Sequence, residues 1–262
     1  MQLIDTHCHL DFPVFDSDRA ALLAECRQLG VGEYIIPAVG EENWGRVMAL
    51  AAEHDGISYA LGVHPWYVGG QMPAVLTRLQ QWLAERPRGL VAVGECGLDL
   101  RSHVPQEGQL EMFEAQVELA KEHELPLIVH SVRANDTVAK ILRRLRPACG
   151  GVIHAFSGSL QQAEAFWQLG FRLGIGGVIS FERANKTREA VRDMPLEALL
   201  LETDAPDMPL QGQQGAPNTP ANLPIIAQLL ADLRQQPLAH VASVLHESTL
   251  RTFQLGKSKI NT

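Results

Sequence analysis

The sequence predicts a single (β/α)8 barrel, on three observations. Short apolar runs alternate with longer amphipathic ones along 262 residues, and barrels of this kind often take about 250 residues as one domain. Several runs are apolar almost throughout, such as Leu125-Pro126-Leu127-Ile128-Val129 and Leu199-Leu200-Leu201. Strands buried on both faces of a parallel sheet read in this way. Finally, histidines and carboxylates recur where these runs end, and barrel enzymes place their chemistry at the C-terminal ends of strands. The competing architecture is an open doubly wound sheet.

In order, the expected strands are Leu3–His9, Tyr34–Val39, Ser58–His64, Leu90–Glu95, Leu125–His130, Gly151–Phe156, Arg172–Ile179 and Leu199–Asp204. The first helix is expected over Ser17–Leu29, with Gly30 as its C-terminal stop, and the second over Glu42–His54. Pro105–Glu122 carries Leu110, Phe113, Val117 and Ala120 at helical spacing, one apolar stripe among polar residues. Asp136–Leu145 stops before Arg146-Pro147. Leu160–Leu169 stops at Gly170, with Ser157-Gly158-Ser159 as its cap, and Ala184–Asp193 stops before Pro195. Pro220–Arg234 and Leu238–Phe253 close the pattern. Residues Pro206–Pro220, rich in Gly, Gln and Pro, are expected as a loop at the catalytic face, and 256–262 as a frayed tail. One domain is expected over 1–262.

The composition is 46% hydrophobic and 20% charged, ordinary for a globular enzyme. A chain this long buries enough apolar surface to fold without a structural metal, so a metal site here should serve chemistry. The formal net charge of −8 argues against a long electrostatic track for duplex DNA. The four cysteines Cys8, Cys26, Cys96 and Cys149 form no CxxC pair and are expected as free thiols. Cys8 and Cys96 neighbour candidate ligands, and strand alternation turns them away from the site. The N-terminal residues lack a basic stretch followed by an apolar run, and no apolar run reaches the roughly 20 residues of a membrane span. The expected compartment is the cytoplasm.

The strand ends supply the chemistry. His7-x-His9 puts two imidazoles on one face of a strand, because the side-chain period is two, so both can reach one ion. Glu95 stands in Gly94-Glu95-Cys96-Gly97-Leu98-Asp99, and its two oxygens allow it to bridge two ions. Asp99 is expected as a cap or as a partner behind a ligand. His130 and His154 suit a second ion. Glu202 and Asp204 fall on one face of the last strand. Two carboxylates facing inward repel each other, and metal binding by Asp204 relieves that, with Glu202 in support. The sequence contains no GxSxG nucleophile elbow. Gly174-x-Gly176-Gly177 lacks the strand–turn–helix context of a dinucleotide loop.

Together these residues resemble the TatD family of metal-dependent deoxyribonucleases, among the amidohydrolase-like barrels. The resemblance runs through Asp5-Thr6-His7-Cys8-His9, Gly62-Val63-His64-Pro65, Gly94-Glu95-Cys96-Gly97-Leu98-Asp99, His130-Ser131, His154-Ala155-Phe156-Ser157-Gly158 and Glu202-Thr203-Asp204-Ala205-Pro206. The wording after His154 and after Asp204 is similar to the YjjV-like bacterial subgroup. The resemblance implies one ion on His7, His9, Glu95 and Asp204, and a second on Glu95, His130 and His154. It also implies hydrolysis of DNA phosphodiesters, often from the 3′ end of single strands and usually with Mg²⁺. Cys96, Leu100 and Val132 depart from the family's common residues, and Arg133 stands one place later than the usual arginine.

The expected enzyme is therefore a two-metal hydrolase using Mg²⁺, Mn²⁺ or Zn²⁺, with single-stranded DNA ends as its partner. Asp204 would orient or deprotonate the attacking water beside Glu95. His64, Arg133 and Glu202 are expected on the substrate side. The alternatives are a hydrolase of a small amide, lactone or other ester, and a catalytically silent metal-binding protein.

Overall fold

Eight parallel strands, paired in chain order, form one sheet in the computed structural model, which describes residues 2–256. They are β1 (Leu3–Asp5), β2 (Val31–Pro37), β3 (Ile57–Leu61), β4 (Leu90–Asp99), β5 (Leu127–Val132), β6 (Gly151–Ile153), β7 (Phe171–Ile175) and β8 (Leu199–Leu201). Past β1 and β8 the backbones continue to bond. Thr6 N–H donates to Leu201 O at 3.0 Å, Asp204 N–H to His7 O at 2.8 Å and His9 N–H to Ala205 O at 2.7 Å. These bonds draw the last strand against the first, so the sheet is a nearly closed (β/α)8 barrel.

The helices among the described residues are α1 (Arg19–Gln28), α2 (Glu41–Glu53), α3 (Met72–Glu85), α4 (Gln106–Glu122), α5 (Asn135–Leu145), α6 (Leu160–Gln168), α7 (Asn185–Asp193), α8 (Leu223–Arg234) and α9 (Leu238–Thr252). The expected segments match these to within a few residues at most ends. The exception is α3, for which the sequence pattern offered no helix. It starts with proline in its first turn, where the missing N–H costs nothing, and it buries Leu79 and Leu83, four residues apart. At α6, Ser159 accepts from Gln162 N–H at 3.3 Å in a capping box. The expected tail, past Gly256, lies outside the described residues.

Most strands end earlier than expected at the site end. β1 stops at Asp5, β6 at Ile153 and β8 at Leu201, while β4 runs on to Asp99. The ligand-type residues after β1, β6 and β8 therefore stand just past the strands, where single backbone bonds such as His154 N–H to Val129 O at 3.0 Å still tie them to their neighbours. Strand alternation sorts the core into two layers. Ile35, Ala60, Ala92, Ile128, Val152 and Leu200, one from each of six strands, pack together with Phe253. Their neighbours Ile36, Leu61, Val93, Val129, Ile153 and Leu201 pack into a larger layer that includes the helices. Cys8, Cys26 and Cys96 are buried free thiols and Cys149 is half-buried. No described helix is long and apolar enough to cross a membrane.

Candidate metal centre

Glu95 is the pivot of the site. Its Oε2 faces His7 Nε2 at 3.3 Å and His9 Nε2 at 3.7 Å. Its Oε1 faces His154 Nε2 at 2.8 Å, His130 Nδ1 at 2.9 Å and His64 Nε2 at 3.5 Å. Asp204 Oδ1 completes the first group, 3.5 Å from His7 Nε2 and 3.8 Å from His9 Nε2. The structure thus brings His7, His9, Glu95, His130, His154 and Asp204 together, with His64 beside them. The expected divergence of the cysteines holds as well: Cys96 Sγ donates to Ile128 O at 3.5 Å, inside the core.

Local backbone explains this crowding. A Cβ at Gly97, whose φ is +136°, would lie 2.1 Å from His130 O, so only glycine lets β4 approach β5 where Glu95 and His130 meet. Asp204 has φ 58° and Ala155, just after His154, has φ 45°. Such left-handed conformations cost free energy in non-glycine residues and cluster at functional sites. Asp5 secures the Asp204 turn from below. Its Oδ2 accepts from Thr203 Oγ1 at 2.6 Å, and its Oδ1 accepts from Thr203 N–H at 3.0 Å and His7 N–H at 3.3 Å.

Burial sets the protonation states. It pushes His7 well below its usual range, with His154 adding to the effect, and lowers His154 as well. Both are then neutral, the form that offers a lone pair to a metal. Burial opposes the charge on Glu95, but the imidazoles of His154, His64 and His7 and the His130 hydrogen bond hold its carboxyl well below the usual range. Burial, followed by the Glu95 carboxylate, raises Asp204 well above the usual range. His7 Nε2 is buried with no hydrogen-bond partner, yet it faces two carboxylate oxygens. A divalent cation would satisfy that set, because the neutral imidazoles of His7 and His154 converge there with the oxygens of Glu95 and Asp204.

The remaining residues sit around this cluster. His64 Nδ1 accepts from Trp66 N–H at 3.1 Å, so in the neutral ring the proton is on Nε2, toward Glu95. Burial lowers the His64 pKa to about 4. Arg133 is exposed at the wall of a cavity of about 600 Å³ that opens on His130, His154 and Asp204. Glu202 is fully buried, and its Oε1 accepts from Ala155 N–H at 2.5 Å. Gly174 makes room for it, since a Cβ there would lie 2.0 Å from Glu202 Oε2. Glu202 lies close enough to His7 and His154 for the three to share an ion. Two loop residues escaped the sequence reading. Trp66 Nε1 donates to Asp99 Oδ2 at 2.7 Å, and Arg101 lines the same cavity as Arg133. Only their positions after β3 and β4 could have marked them.

Residues 4–254 match the family model described as TatD related DNase. The chain is 47% identical to the uncharacterized metal-dependent hydrolase YjjV of Escherichia coli K12, over 97% of this chain and 98% of that protein. The crystal structure of that TatD homologue superposes with a TM-score of 0.94, at 46% identity and 97% and 98% coverage. A Rahnella protein named 3′-5′ ssDNA/RNA exonuclease TatD is 32% identical, covering 92% of this chain and 94% of its own. With its barrel, its His/Glu cluster and these relatives, the chain belongs to the TatD family of metal-dependent hydrolases.

Proposed function

We propose that the protein is a two-metal phosphodiesterase that trims single-stranded DNA from an end. The observation that carries this reading is the division of Glu95: one oxygen turned to His7 and His9, the other to His130 and His154. In this reading His7, His9, Glu95 and Asp204 hold one divalent ion, and Glu95, His130 and His154 hold the second. The imidazoles suit Zn²⁺, and the carboxylates with a phosphate substrate suit Mg²⁺ or Mn²⁺. When bound, the ions lower the pKa of water and stabilise charge on phosphoryl oxygens.

The chain's own residues do the rest. Asp204 lines the cavity mouth with His130 and His154, where its carboxylate orients the attacking water and accepts its proton. His64 Nε2–H, which faces Glu95 Oε1 at 3.5 Å, donates to a phosphoryl oxygen held beside Glu95. Arg133 meets a phosphate oxygen at the cavity wall. Glu202, through Ala155 N–H, fixes the turn that follows His154. A single strand can thread along a cavity of about 600 Å³ to reach the cluster, whereas a duplex is too wide and stiff. The exonuclease name of the Rahnella relative supports the choice of nucleic acid and of 3′ ends.

The test is incubation of metal-reconstituted protein with end-labelled single-stranded and duplex DNA, alongside a panel of lactones and amides. The reading predicts stepwise trimming of single strands with Mg²⁺, Mn²⁺ or Zn²⁺ and little cutting inside duplexes. Cleavage of a lactone or amide with no DNA trimming would overturn it.

A further inference from the structure

Two cavities flank the candidate metal centre, and their charges differ. The one beyond His130 and His154 carries Arg101 and Arg133 together with Asp136 and Asp204. Asp136 accepts from Gln162 and Asp204 faces the cluster, while among the described residues neither guanidinium has a protein hydrogen bond or ion pair. The other, of about 500 Å³, is lined by chain neighbours of His9 and His64 and not by the cluster residues themselves. Its wall begins at Asp11 and Phe12, just after His9, and includes Val63, just before His64. The Phe12 ring stacks on the His9 ring at 4.6 Å. Tyr67, 57% exposed, stands 6.1 Å from the His64 ring and also lines this cavity.

The second cavity is built against anions. Asp11, Glu41 and Glu42 line it. Its one lining cation, Arg46, is paired with Asp16, and the nearby Arg78 is paired with Glu41. The rest of its lining is largely apolar and aromatic. Its volume is in the range of about 300–1,000 Å³ typical of small-ligand pockets. Aromatic rings offer a stacking face to any base, while carboxylates repel a phosphate.

We propose that this cavity receives the uncharged terminal nucleoside of the strand, while the phosphates behind it lie over Arg101 and Arg133. The consequence is selection of ends by chemistry: a hydroxyl terminus enters, and a phosphate terminus is repelled by Asp11 and Glu42, the lining carboxylates without an arginine partner among the described residues. This rests on the nuclease reading above.

The experiment has two arms. In the first, internally labelled single-stranded DNA carries hydroxyls at both ends, or phosphate at the 3′ end, the 5′ end or both. Trimming of the doubly phosphorylated strand should fall at least about tenfold, with one singly phosphorylated strand reproducing the loss. In the second, equilibrium dialysis of the metal-loaded protein measures thymidine against thymidine 3′- and 5′-monophosphate. Tyr67→Ala should weaken thymidine binding at least about fivefold, on the scale of a lost stacking contact, and Tyr67→Phe should retain it, with metal content equal in all three proteins. Equal trimming of all four strands, or thymidine binding indifferent to Tyr67→Ala, overturns the subsite and leaves the nuclease reading standing. No trimming of any strand, with hydrolysis of a lactone or amide, overturns both.

Discussion

Asp99 Oδ2 lies 3.2 Å from His130 Nε2, on the side of the ring away from Glu95. His130 Nδ1 faces Glu95 Oε1 at 2.9 Å, so one imidazole is gripped by a carboxylate at each nitrogen. With Asp99 accepting from Nε2–H, the neutral ring presents Nδ1 as a lone pair toward the proposed second ion. Trp66 fixes the same Asp99 oxygen. Asp99→Asn should therefore weaken metal binding at the second site by about 10- to 100-fold, the usual cost of losing such a partner. The first site should keep its affinity. Isothermal titration with Mn²⁺ on wild type and variant measures both.

The same arrangement gives a pH dependence. Burial opposes the charge of His130, but the hydrogen bonds from Asp99 and Glu95 raise its pKa to about 9 in the metal-free protein. A raised folded-state pKa contributes stability that is complete below the unfolded value of about 6.5 and lost as pH rises through about 9. The stability difference between metal-free wild type and Asp99→Asn should thus shrink between pH 6.5 and 9, read from urea midpoints. Metal must displace that proton, so binding should strengthen over the same window and release protons. A difference constant across pH 6.5–9 would refute the pairing.

Asp204→Asn keeps the shape of the side chain and removes its charge and its basicity. Turnover should fall at least about a hundredfold, the scale of a lost acid–base group. Metal content, measured alongside at saturating metal, separates lost chemistry from a lost ligand. Near-normal turnover would exclude Asp204 from the chemical step.

Arg133→Ala should slow DNA trimming while leaving metal content unchanged. If Arg133 neutralises one phosphate, the salt dependence of DNA binding becomes shallower by about one unit in the log–log slope. An unaltered slope would remove Arg133 from the phosphate contact.

Gly97→Ala tests the packing that joins β4 to β5. A Cβ 2.1 Å from His130 O at φ +136° has no room without backbone displacement, so stability should fall by at least about 2 kcal/mol. Urea denaturation of the metal-free protein checks this without reference to activity.

The barrel and the His, Glu and Asp residues that cluster at its mouth were legible in the sequence for one physical reason. A parallel barrel needs doubly buried strands, which read as apolar runs, and its catalytic face lies where those runs stop. His7, His9, Glu95, His130, His154 and Asp204 all stand there. The α3 helix was not legible, because Gly69, Gly70 and Pro73 broke up its start and only Leu79 and Leu83 are fully buried along it. Trp66 and Arg101 are loop residues, and loops carry no periodicity from which an orientation can be read. Glu202 was expected on the substrate side because alternation puts it on the face of Asp204; its side chain is fully buried and accepts from Ala155 N–H.

The central claim is that Glu95 stands between two divalent ions. Crystals grown with Mn²⁺ or Zn²⁺ and measured at the metal's absorption edge test it most directly. The account predicts two anomalous peaks about 3.5–4 Å apart, one among His7, His9 and Asp204 and the other among His130 and His154, with one Glu95 oxygen on each. A single peak at full metal occupancy, or two peaks that do not share Glu95, would contradict it.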